Sequence, residues 1–403
     1  MDKTLNSAPV SVRTHIGFFG RMNAGKSSLI NALTKQAVSI VSPEAGTTTD
    51  VVKKTMEIHG IGPCVLLDTA GIDDEGAVGR MRVAAARRAA ESTDIAVVLF
   101  SEEDCRAEAA WVERFHAVST PVIAVLSRAD ERTDAENTGL QEHIRCETGI
   151  TPIAASAVTG EGLEALQEAL IRAAARAAEK PSILGSLVKP GDVVLLVMPQ
   201  DPQAPEGRLI LPEVQTIREA LDRHCVSLCV QPEELPAALA CLRDPPALIV
   251  TDSQVFDRVY ALKPAGTRLT SFSVLFAGCK GDIDYYVQSA RMIDTLTEAS
   301  RVLIAECCTH APLSEDIGRV KIPGMLRRRT GPGLTVDVTA GADFPADLGT
   351  YDLVIQCGGC MLNRKSVMNR IQRAKDAGVP MTNYGVAIAY IKGILDRIDT
   401  GRN

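Results

Sequence analysis

The sequence predicts an α/β protein of three consecutive domains, of which the first is a doubly wound, mainly parallel sheet. Two observations predict this fold class. Short apolar, β-rich segments alternate with amphipathic helical segments throughout residues 15–178. Turn-rich sequence at Pro181 and Gly185–Asp192 then separates this region from further strand–helix alternation. The 403 residues, 46% of them hydrophobic, are enough to form two or three hydrophobic cores.

The first predicted domain covers residues 1–180. Its predicted strands are Ile16–Phe19, Val51–Ile58, Cys64–Asp68, Ile95–Phe100, Val122–Ser127 and Pro152–Ala155. Its predicted helices are Lys26–Thr34, Val78–Ser92, Ala107–His116 and Glu161–Ala178. Helices that lie between consecutive strands are typical of parallel pairing, because a parallel connection must cross over the sheet.

Two smaller α/β domains follow, at residues 181–266 and 267–403. The second has predicted strands Val193–Met198, Val226–Val230 and Ala247–Val250, and predicted helices Val214–Arg223 and Glu233–Leu242. The third has predicted strands Leu269–Phe276, Val302–Ala305 and Asp352–Ile355, and a predicted helix Tyr285–Glu298. The second domain has no recognisable chemistry, so we expect a structural or subunit-pairing role. No internal repeat recurs at a fixed period.

Composition excludes several classes of function. The net charge of −7 argues against a nucleic-acid partner, and no apolar segment reaches the roughly 20 residues of a membrane helix. The polar residues 1–13 lack the apolar core of a signal peptide. We therefore expect a cytoplasmic protein without a membrane partner. Most of the eleven cysteines stand singly in apolar segments and are expected to be buried thiols.

Residues 20–27 read GRMNAGKS, which is the pattern of a phosphate-binding loop between a strand and a helix. Gly20 and Gly25 allow backbone amides to turn toward phosphate oxygens, and Lys26 is expected to reach the β and γ oxygens. Ser27 is expected to hold Mg²⁺. The predicted nucleotide-binding residues of this segment are Gly20, Asn23, Ala24, Gly25, Lys26, Ser27 and Ser28.

Further motifs follow in the order of a GTP-binding protein. Asp68-Thr-Ala-Gly71 follows an apolar strand and is expected to bring a carboxylate near Mg²⁺ and an amide near the γ-phosphate. Gly46–Asp50 is a polar turn in isolation but a candidate switch loop in this series, with Thr48 as a second hydroxyl ligand for Mg²⁺. The predicted catalytic residues are Lys26, Thr48, Asp68 and Gly71. The predicted guanine-reading residues are Asp130, Ser156 and Ala157.

These motifs resemble the translation-factor-related GTPases, especially the branch that includes the tRNA-modification GTPase MnmE and Era-type proteins. That class usually has Asn-Lys-x-Asp where this chain has Ser127-Arg128-Ala129-Asp130, so support from the Asn and Lys side chains is expected to be lost. Ile72 stands where Ras-like proteins have a water-orienting Gln, and Asn23 matches the position that coordinates K⁺ in this branch. The resemblance implies slow, potassium-stimulated hydrolysis of GTP.

Cysteine pairs form a second candidate site. Cys357-Gly-Gly-Cys360 follows one apolar strand, and Cys308-Thr-His310 follows another. Ligands that follow two strands can meet at one edge of a parallel sheet. Three thiolates and one further ligand suit zinc or a four-iron cluster about equally, and a lone CxxC can also be redox-active or a turn. A radical-SAM enzyme is disfavoured because no CxxxCxxC is present.

Five segments resemble the HydF family of FeFe-hydrogenase maturation GTPases: Phe272–Phe276, Ala305–Ala311, Asp316–Pro323, Cys357–Met361 and Thr382–Gly385. The resemblance implies a P-loop GTPase domain, a small α/β dimerisation domain and an α/β domain that binds a 4Fe-4S cluster. It also implies a homodimer that receives a di-iron subcluster precursor made by radical-SAM maturases and delivers it to the hydrogenase apoprotein.

The resemblance implies Cys308, Cys357 and Cys360 as cluster ligands. Gln356 replaces the His that precedes the CxxC in the family, so the fourth ligand is open among Glu315, His310 and an exchangeable position. Cys307 is expected to face the core.

Arg319, Lys321 and Arg327–Arg329 form a basic segment, either solvated or a docking surface. Two alternatives are a tRNA-modification or ribosome-assembly GTPase and a zinc-stabilised regulatory GTPase.

Overall fold

The computed structural model describes residues 10–36, 42–44, 51–72, 76–177, 181–200, 209–307, 316–341, 344–345 and 347–401. The chain divides into two compact units, Met1–Lys180 and Pro181–Asn403. Within the described ranges, no helix combines the length and apolarity needed to cross a membrane.

One sheet forms the centre of the first unit. Its strands are β1 Thr14–Gly20, β2 Ser42–Glu44, β3 Val52–Ile58, β4 Gly62–Asp68, β5 Ile95–Phe100, β6 Val122–Ser127 and β7 Ile153–Ala155. They lie in the order β2-β3-β4-β1-β5-β6-β7, and β3 runs antiparallel to both of its neighbours while the remaining pairs are parallel. The mainly parallel, doubly wound sheet predicted from the sequence is confirmed.

Helices cover both faces of this sheet. They are α1 Lys26–Gln36, α2 Gly76–Glu91, α3 Arg106–Ala117, α4 Asp134–Thr148 and α5 Leu163–Ala177. Buried side chains of α1 and α5 pack with Ile16 and Phe18 on one face, whereas α2, α3 and α4 pack with Phe19 on the other. Phe19 stacks on Trp111 of α3 with ring centroids 5.1 Å apart. The alternation of buried residues along β1 thus anchors helices on both sides.

The sequence analysis missed helix α4, which is largely polar. Its start is nonetheless encoded by a capping box, in which Thr133 accepts a hydrogen bond from the Glu136 amide and Glu136 accepts one from the Thr133 amide. Gly149 ends the helix in the left-handed region at φ 74°. The caps rather than an apolar face mark this helix.

The second unit contains two sheets, each of parallel strands. The strands of the first are β8 Val193–Val197, β9 Val226–Val230, β10 Leu248–Thr251 and β11 Arg268–Ser271, in the order β11-β10-β8-β9. The strands of the second are β12 Arg301–Ala305, β13 Thr335–Thr339, β14 Leu353–Gln356 and β15 Met381–Asn383, in the order β13-β12-β14-β15. Numbered within each sheet, both orders read 2-1-3-4.

The helices of this unit connect and cover the strands. They are α6 Leu211–Asp222, α7 Leu235–Cys241, α8 Phe256–Leu262, α9 Phe272–Lys280, α10 Ile283–Ala290, α11 Ile322–Thr330, α12 Arg364–Asp376 and α13 Tyr384–Ile391. The predicted helix Tyr285–Glu298 is shorter, because a 3₁₀ turn at Arg291–Thr295 follows α10.

The predicted strand Leu269–Phe276 is wrong beyond Ser271. Only Arg268–Ser271 is extended, and it pairs with β10 of the first sheet in this unit. The Ser271 side chain accepts a hydrogen bond from the Val274 amide at 3.3 Å, so it caps α9 and turns the remaining apolar residues into a buried helix. An apolar segment of this length fits a strand or a buried helix equally well, and the cap decides between them.

Helices α9 and α13 cross at close range at one glycine. A Cβ atom on Gly385 would lie 2.6 Å from the Ser273 Cβ and 3.0 Å from the Ser273 carbonyl carbon. Both helices follow the fourth strand of their sheet, so this crossing joins equivalent positions of the two sheets. Only a residue without a side chain allows the two backbones to approach this closely.

We predict that Gly385→Ala lowers the free energy of unfolding by about 1–3 kcal/mol, because the added methyl group overpacks the crossing. Gly324→Ala in α11 is the matched control, since a Cβ there meets no atom within 4 Å. The control is expected to be neutral or to stabilise by up to about 1 kcal/mol. Chemical denaturation of both variants measures the difference, and equal stabilities would contradict a close crossing.

Candidate nucleotide and metal sites

The phosphate-binding loop lies between β1 and α1. Strand β1 lies between β4 and β5 in the sheet. Parallel α/β sheets bind ligands at the carboxyl ends of their strands, and the loop follows the carboxyl end of β1. Gly20, Asn23 and Gly25 have φ of 153°, 61° and 87°. A Cβ on Gly20 would lie 2.7 Å from the Leu99 carbonyl oxygen, so this position requires glycine. The loop turns tightly into the amino end of α1, which favours an anion.

The Lys26 side chain is buried at this loop. Its Nζ donates hydrogen bonds to the carbonyl oxygens of Gly20 at 2.9 Å and Arg21 at 2.7 Å. Ala24 is buried beside it, whereas Ser27 and Ser28 are exposed on the first turn of α1. The predicted phosphate-binding residues are therefore gathered in one loop and one helical turn.

Arg21 ties the loop to helix α3, an interaction that the sequence analysis missed. Its Nε donates to both carboxylate oxygens of buried Glu108, at 3.2 and 3.3 Å. Its Nη2 donates to the Asp104 carbonyl oxygen at 2.6 Å, and Glu102 lies 3.4 Å from Nη1. Burial raises the pKa of Glu108, and the Arg21 cation opposes this rise. Four acidic residues within 102–108 and an arginine in the loop were the available signal.

Asp68 ends β4 beside the phosphate loop. Burial raises the pKa of Asp68, while a hydrogen bond from the Ser27 side chain and the charge of Lys26 oppose that rise. The two predicted magnesium-site residues, Ser27 and Asp68, are thus brought together. The Ile72 amide donates to the Gly20 carbonyl oxygen at 3.2 Å, which holds the segment with buried Gly71 against the loop. Thr48, the remaining predicted magnesium ligand, lies outside the described residues.

The base-reading segment follows β6. Arg128 has left-handed φ of 56°, and its Nη2 donates to the Asn23 carbonyl oxygen of the phosphate loop. An arginine thus links the base-reading segment to the phosphate loop. The expected loss of support from the Asn and Lys side chains stays a prediction. The Ser127 hydroxyl donates to the Phe100 carbonyl oxygen at 3.1 Å within the sheet. Asp130 lies in the short helical turn Ala129–Glu131 that follows.

Ser156 and Ala157 follow β7 in a tight turn. The buried Ser156 hydroxyl accepts hydrogen bonds from the amides of Val158 and Thr159, both at 3.1 Å. The Ser156 amide donates to the Glu161 carbonyl oxygen at 3.0 Å. The turn is thus fixed by its own backbone at the same edge of the sheet as Asp130.

The candidate metal site lies at the carboxyl edge of the second sheet in the second unit. Strands β12 and β14 are neighbours with Ala305 opposite Gln356, so the residues after them meet. The Cys357 amide donates to the Ala305 carbonyl oxygen at 3.0 Å, and the Cys307 amide donates to the Cys357 Sγ at 3.2 Å. The Cys308, His310 and Glu315 ligand candidates lie outside the described residues.

Cys307 is buried, as predicted, but it faces the Cys357 thiol rather than apolar side chains alone. The hydrogen bond between the two side chains raises the pKa of Cys307 and lowers the pKa of Cys357 to about 7. Arg370 Nη1 also lies 3.5 Å from the Cys307 Sγ. Cys307, the buried thiol next to the predicted ligand Cys308, is therefore in contact with the Cys357 thiol. Its position in the sequence did not predict this contact.

Two buried side chains, Lys280 and Gln356, lie next to the Cys357–Cys360 loop. Gly359 has left-handed φ of 64°, and its carbonyl oxygen accepts a hydrogen bond from Lys280 Nζ at 2.7 Å. Gln356 is 1% exposed, and its Oε1 has no hydrogen-bond partner among the described residues. A Cβ on Gly359 would lie 3.8 Å from the Gln356 Nε2, which places this amide under the loop. An unpartnered acceptor is therefore buried beside the thiols.

A polar cluster occupies the opposite face of the same sheet edge. Arg319 donates two hydrogen bonds to one oxygen of buried Glu306, at 3.1 and 2.9 Å. The Tyr384 hydroxyl is buried, and no hydrogen-bond partner for it lies in the part of the chain that the structure describes; a Cβ on Gly318 would lie 1.9 Å from it. Arg329 forms an ion pair with Asp294. Part of the predicted basic segment is therefore used in internal ion pairs rather than in a continuous exposed surface.

The edge of the sheet that carries Cys307, Cys357 and Cys360, the thiol edge, suits a thiophilic metal centre. Soft thiolate ligands favour zinc, copper(I) or iron–sulfur clusters over magnesium or calcium. Within the ranges that the structure describes, no three ligating side chains are placed to hold one metal ion. Cys357 and Cys360 on a glycine loop, beside the chain segment that enters Cys308, are compatible with the predicted ligand set.

Comparison with known families assigns the chain. The model for the hydrogen maturase F dimerization domain matches residues 183–281, and the model for the hydrogen maturase F tetramerization domain matches residues 284–399. Together they span more than half of the chain. The chain belongs to the hydrogen maturase F (HydF) family. The model for a 50S ribosome-binding GTPase matches residues 15–128, so the first unit of this HydF protein is a GTPase domain.

Curated relatives match the GTPase domain of this HydF protein. The tRNA modification GTPase MnmE of Roseiflexus sp. (strain RS-1) is 36% identical over 159 residues, which are 38% of this chain and 34% of that protein. MnmE of Neisseria meningitidis serogroup C (strain 053442) is 35% identical over 159 residues, with the same shares. The chain thus spans about a third of the length of the curated relatives it matches.

Two solved structures are similar to part of this chain, both with low TM-scores. The G domain of the T. maritima FeoB iron transporter has 24% identity and a TM-score of 0.31, covering 40% of this chain and 99% of that one. Aquifex aeolicus Era bound to GDP and AlF4⁻ has 21% identity and a TM-score of 0.34, covering 56% of this chain and 97% of that one.

We predict that Arg128→Ala weakens GTP binding about tenfold, equal to about 1.4 kcal/mol, because one charged hydrogen bond between the base-reading segment and the phosphate loop is lost. Arg128→Lys is expected to keep most of the affinity. Arg145→Ala removes an exposed ion pair with Glu142 on α4 and is the matched control. Titration with a fluorescent GTP analogue measures the affinities. Wild-type affinity of Arg128→Ala would show that the link has no role in binding.

Proposed function

We propose that this HydF protein holds a 4Fe-4S cluster at the thiol edge of β12 and β14 and acts as a GTP-hydrolysing scaffold. On it the di-iron subcluster of FeFe-hydrogenase is assembled and then delivered. The observation that carries the proposal is the hydrogen bond from the Cys307 amide to the Cys357 Sγ, in a chain with both HydF domain matches. This hydrogen bond places Cys307, the residue before Cys308, next to the Cys357–Cys360 loop.

The ligand set that we propose is Cys308, Cys357 and Cys360. The fourth ligand is Glu315, His310 or an exchangeable position, and Gln356 supports the loop from below without binding iron. When bound, a cluster with one exchangeable position supplies an iron atom to which an incoming metal fragment can attach. Gln356 and Cys307 are buried on either side of the half-buried Cys357, whereas Cys360 is exposed.

In the GTPase domain, each predicted residue has a distinct proposed role. Lys26 neutralises the β and γ oxygens, Ser27 and Thr48 ligate Mg²⁺, and Asp68 orients the Mg²⁺ shell. The Gly71 amide contacts the γ-phosphate. Asp130 accepts from the guanine ring, and the turn at Ser156 and Ala157 adds a backbone contact. Hydrolysis is proposed to be slow and potassium-stimulated, with Asn23 contacting the K⁺.

Three domains are proposed: the GTPase domain at residues 1–180, a dimerisation domain and a cluster domain. The sequence analysis placed the last boundary at residue 266. Strand β11 pairs with the sheet of the dimerisation domain, and the dimerization model extends to residue 281. We therefore propose the boundary after α9. The proposed partners are a second HydF chain, the hydrogenase apoprotein and the radical-SAM maturases that make the di-iron precursor.

Two alternatives remain distinguishable by experiment. The tRNA-modification reading rests on relatives that match only the GTPase domain, and both HydF domain matches oppose it. A zinc-stabilised regulatory GTPase would use the same thiols. Anaerobically purified protein with zinc and without iron or acid-labile sulfide would support that alternative.

We predict that Cys357→Ser loses most of the bound iron and sulfide, because a neutral hydroxyl replaces a thiolate ligand. Cys229→Ser, which removes an exposed thiol of β9, is the matched control and is expected to keep the cluster. Lys26→Ala is expected to abolish GTP hydrolysis and keep the iron. Iron and sulfide analysis with low-temperature electron paramagnetic resonance is the measurement. Full iron content in Cys357→Ser would overturn the proposed cluster site.

We predict faster GTP hydrolysis in K⁺ than in Na⁺ at equal ionic strength. The exposed Asn23 stands at a left-handed position of the phosphate loop, where its side chain is available to a monovalent cation. Asn23→Ala is expected to remove the difference between the two salts. Phosphate release gives the rates, and a wild-type rate that is equal in K⁺ and Na⁺ would exclude this role of Asn23.

A further inference from the structure

Two buried cations flank the thiol group from different helices. Lys280 ends α9, and Arg370 lies in the middle of α12; each is only 6% exposed. Within the described ranges, no carboxylate forms an ion pair with either side chain. By contrast, Arg21 forms an ion pair with the buried Glu108, and Arg319 forms an ion pair with the buried Glu306.

Lys280 is anchored to the thiol loop itself. Its Nζ donates to the carbonyl oxygens of Gly359 at 2.7 Å and Leu362 at 2.9 Å, which lie on either side of Cys360. Burial lowers the pKa of Lys280, and the neighbouring thiols oppose this change, Cys360 most strongly. The ammonium therefore both holds the loop by two hydrogen bonds and places a positive charge beside Cys360.

Arg370 approaches the same group from the other side. Its Nη1 lies 3.5 Å from the Cys307 Sγ, and its Nη2 donates to the Gly341 carbonyl oxygen at 2.9 Å. Its guanidinium lies 5.0 Å from the centre of the Phe344 ring. These neutral contacts orient the guanidinium, but they supply no negative charge.

Burial of a cation without a counter-charge costs several kcal/mol, because the interior solvates it poorly. Two such cations around one loop form an electrostatic environment that favours an anion. Thiolates that bind a metal supply that anion, since metal binding removes their protons. The cations are thus matched to the deprotonated, metal-bound state of the loop.

We propose that Lys280 and Arg370 are positioning residues that act as counter-charges for an anionic metal–thiolate group held by Cys357 and Cys360. This inference rests on the proposed function in its choice of iron–sulfur cluster as the resident anion. It makes a separate claim, namely that the site is built for a net negative charge whichever thiophilic metal is bound. Removal of either cation then weakens metal binding and makes a bound cluster harder to reduce.

Helix α12 offers a matched control for Arg370. Arg373 lies one turn further along, also 5.0 Å from the Phe344 ring centre, and donates to the carbonyl oxygens of Phe344 and Pro345. It has the same charge and the same aromatic neighbour but no contact with a thiol. Arg370→Gln and Arg373→Gln therefore differ in their relation to the thiol group.

The first measurement uses Cd²⁺ alone on the full-length, metal-free protein, followed by the thiolate-to-metal absorption band. Arg370→Gln and Lys280→Met are expected to lower the Cd²⁺ affinity about tenfold, as loss of supporting residues around a metal site typically does. Arg373→Gln is expected to bind as the wild type, and Lys280→Arg is expected to restore most of the affinity. Thermal unfolding of the metal-free variants identifies any that fail to fold.

The second measurement is the reduction potential of the anaerobically reconstituted cluster. Both charge-removing variants are expected to shift it to more negative values, whereas Lys280→Arg and Arg373→Gln leave it at the wild-type value. A protein that binds Cd²⁺ with this pattern but holds no iron would contradict the proposed function and keep the counter-charge inference. Equal Cd²⁺ affinities and equal potentials in all folded variants would overturn the inference.

Discussion

The register of β12 against β14 is the constraint on which the metal-binding half of this protein depends. Because Ala305 lies opposite Gln356, the segments that follow β12 and β14 leave the sheet side by side. The Cys357 amide then donates a hydrogen bond to the Ala305 carbonyl oxygen. Because the strands are parallel, the residues that follow both of them emerge at one edge. A different register would separate the Cys307 amide from the Cys357 sulfur and leave the glycine loop without its neighbour.

The same physical rule organises the GTPase unit. Strand β1 lies between β4 and β5, so the phosphate loop and Asp68 emerge side by side although 48 residues separate Gly20 from Asp68. The guanine-reading segment follows the next strand but one, and Arg128 spans the gap to the Asn23 carbonyl oxygen. Arg128 reaches that oxygen because its side chain is a long cationic donor.

Sequence patterns predicted the strands of the GTPase sheet closely, since buried parallel strands are short and apolar. Ile95–Phe100 and Val122–Ser127 have the predicted bounds. The patterns failed where a cap rather than hydrophobicity decides the structure, as at α4 and at the turn from β11 into α9. For the sites, motifs predicted the candidate ligand-binding residues. Arg21, Lys280 and Arg370 were missed because their importance comes from burial and from partners distant in sequence.

The two sheets of the second unit share one strand order, and their last strands lead into helices that cross at Gly385. Corresponding strand ends nevertheless carry different residues, since Asp252 follows β10 where Cys357 follows β14. One strand order thus presents a carboxylate in the first sheet and a thiol loop in the second, so the layout of the strands and the chemistry at their ends are separable.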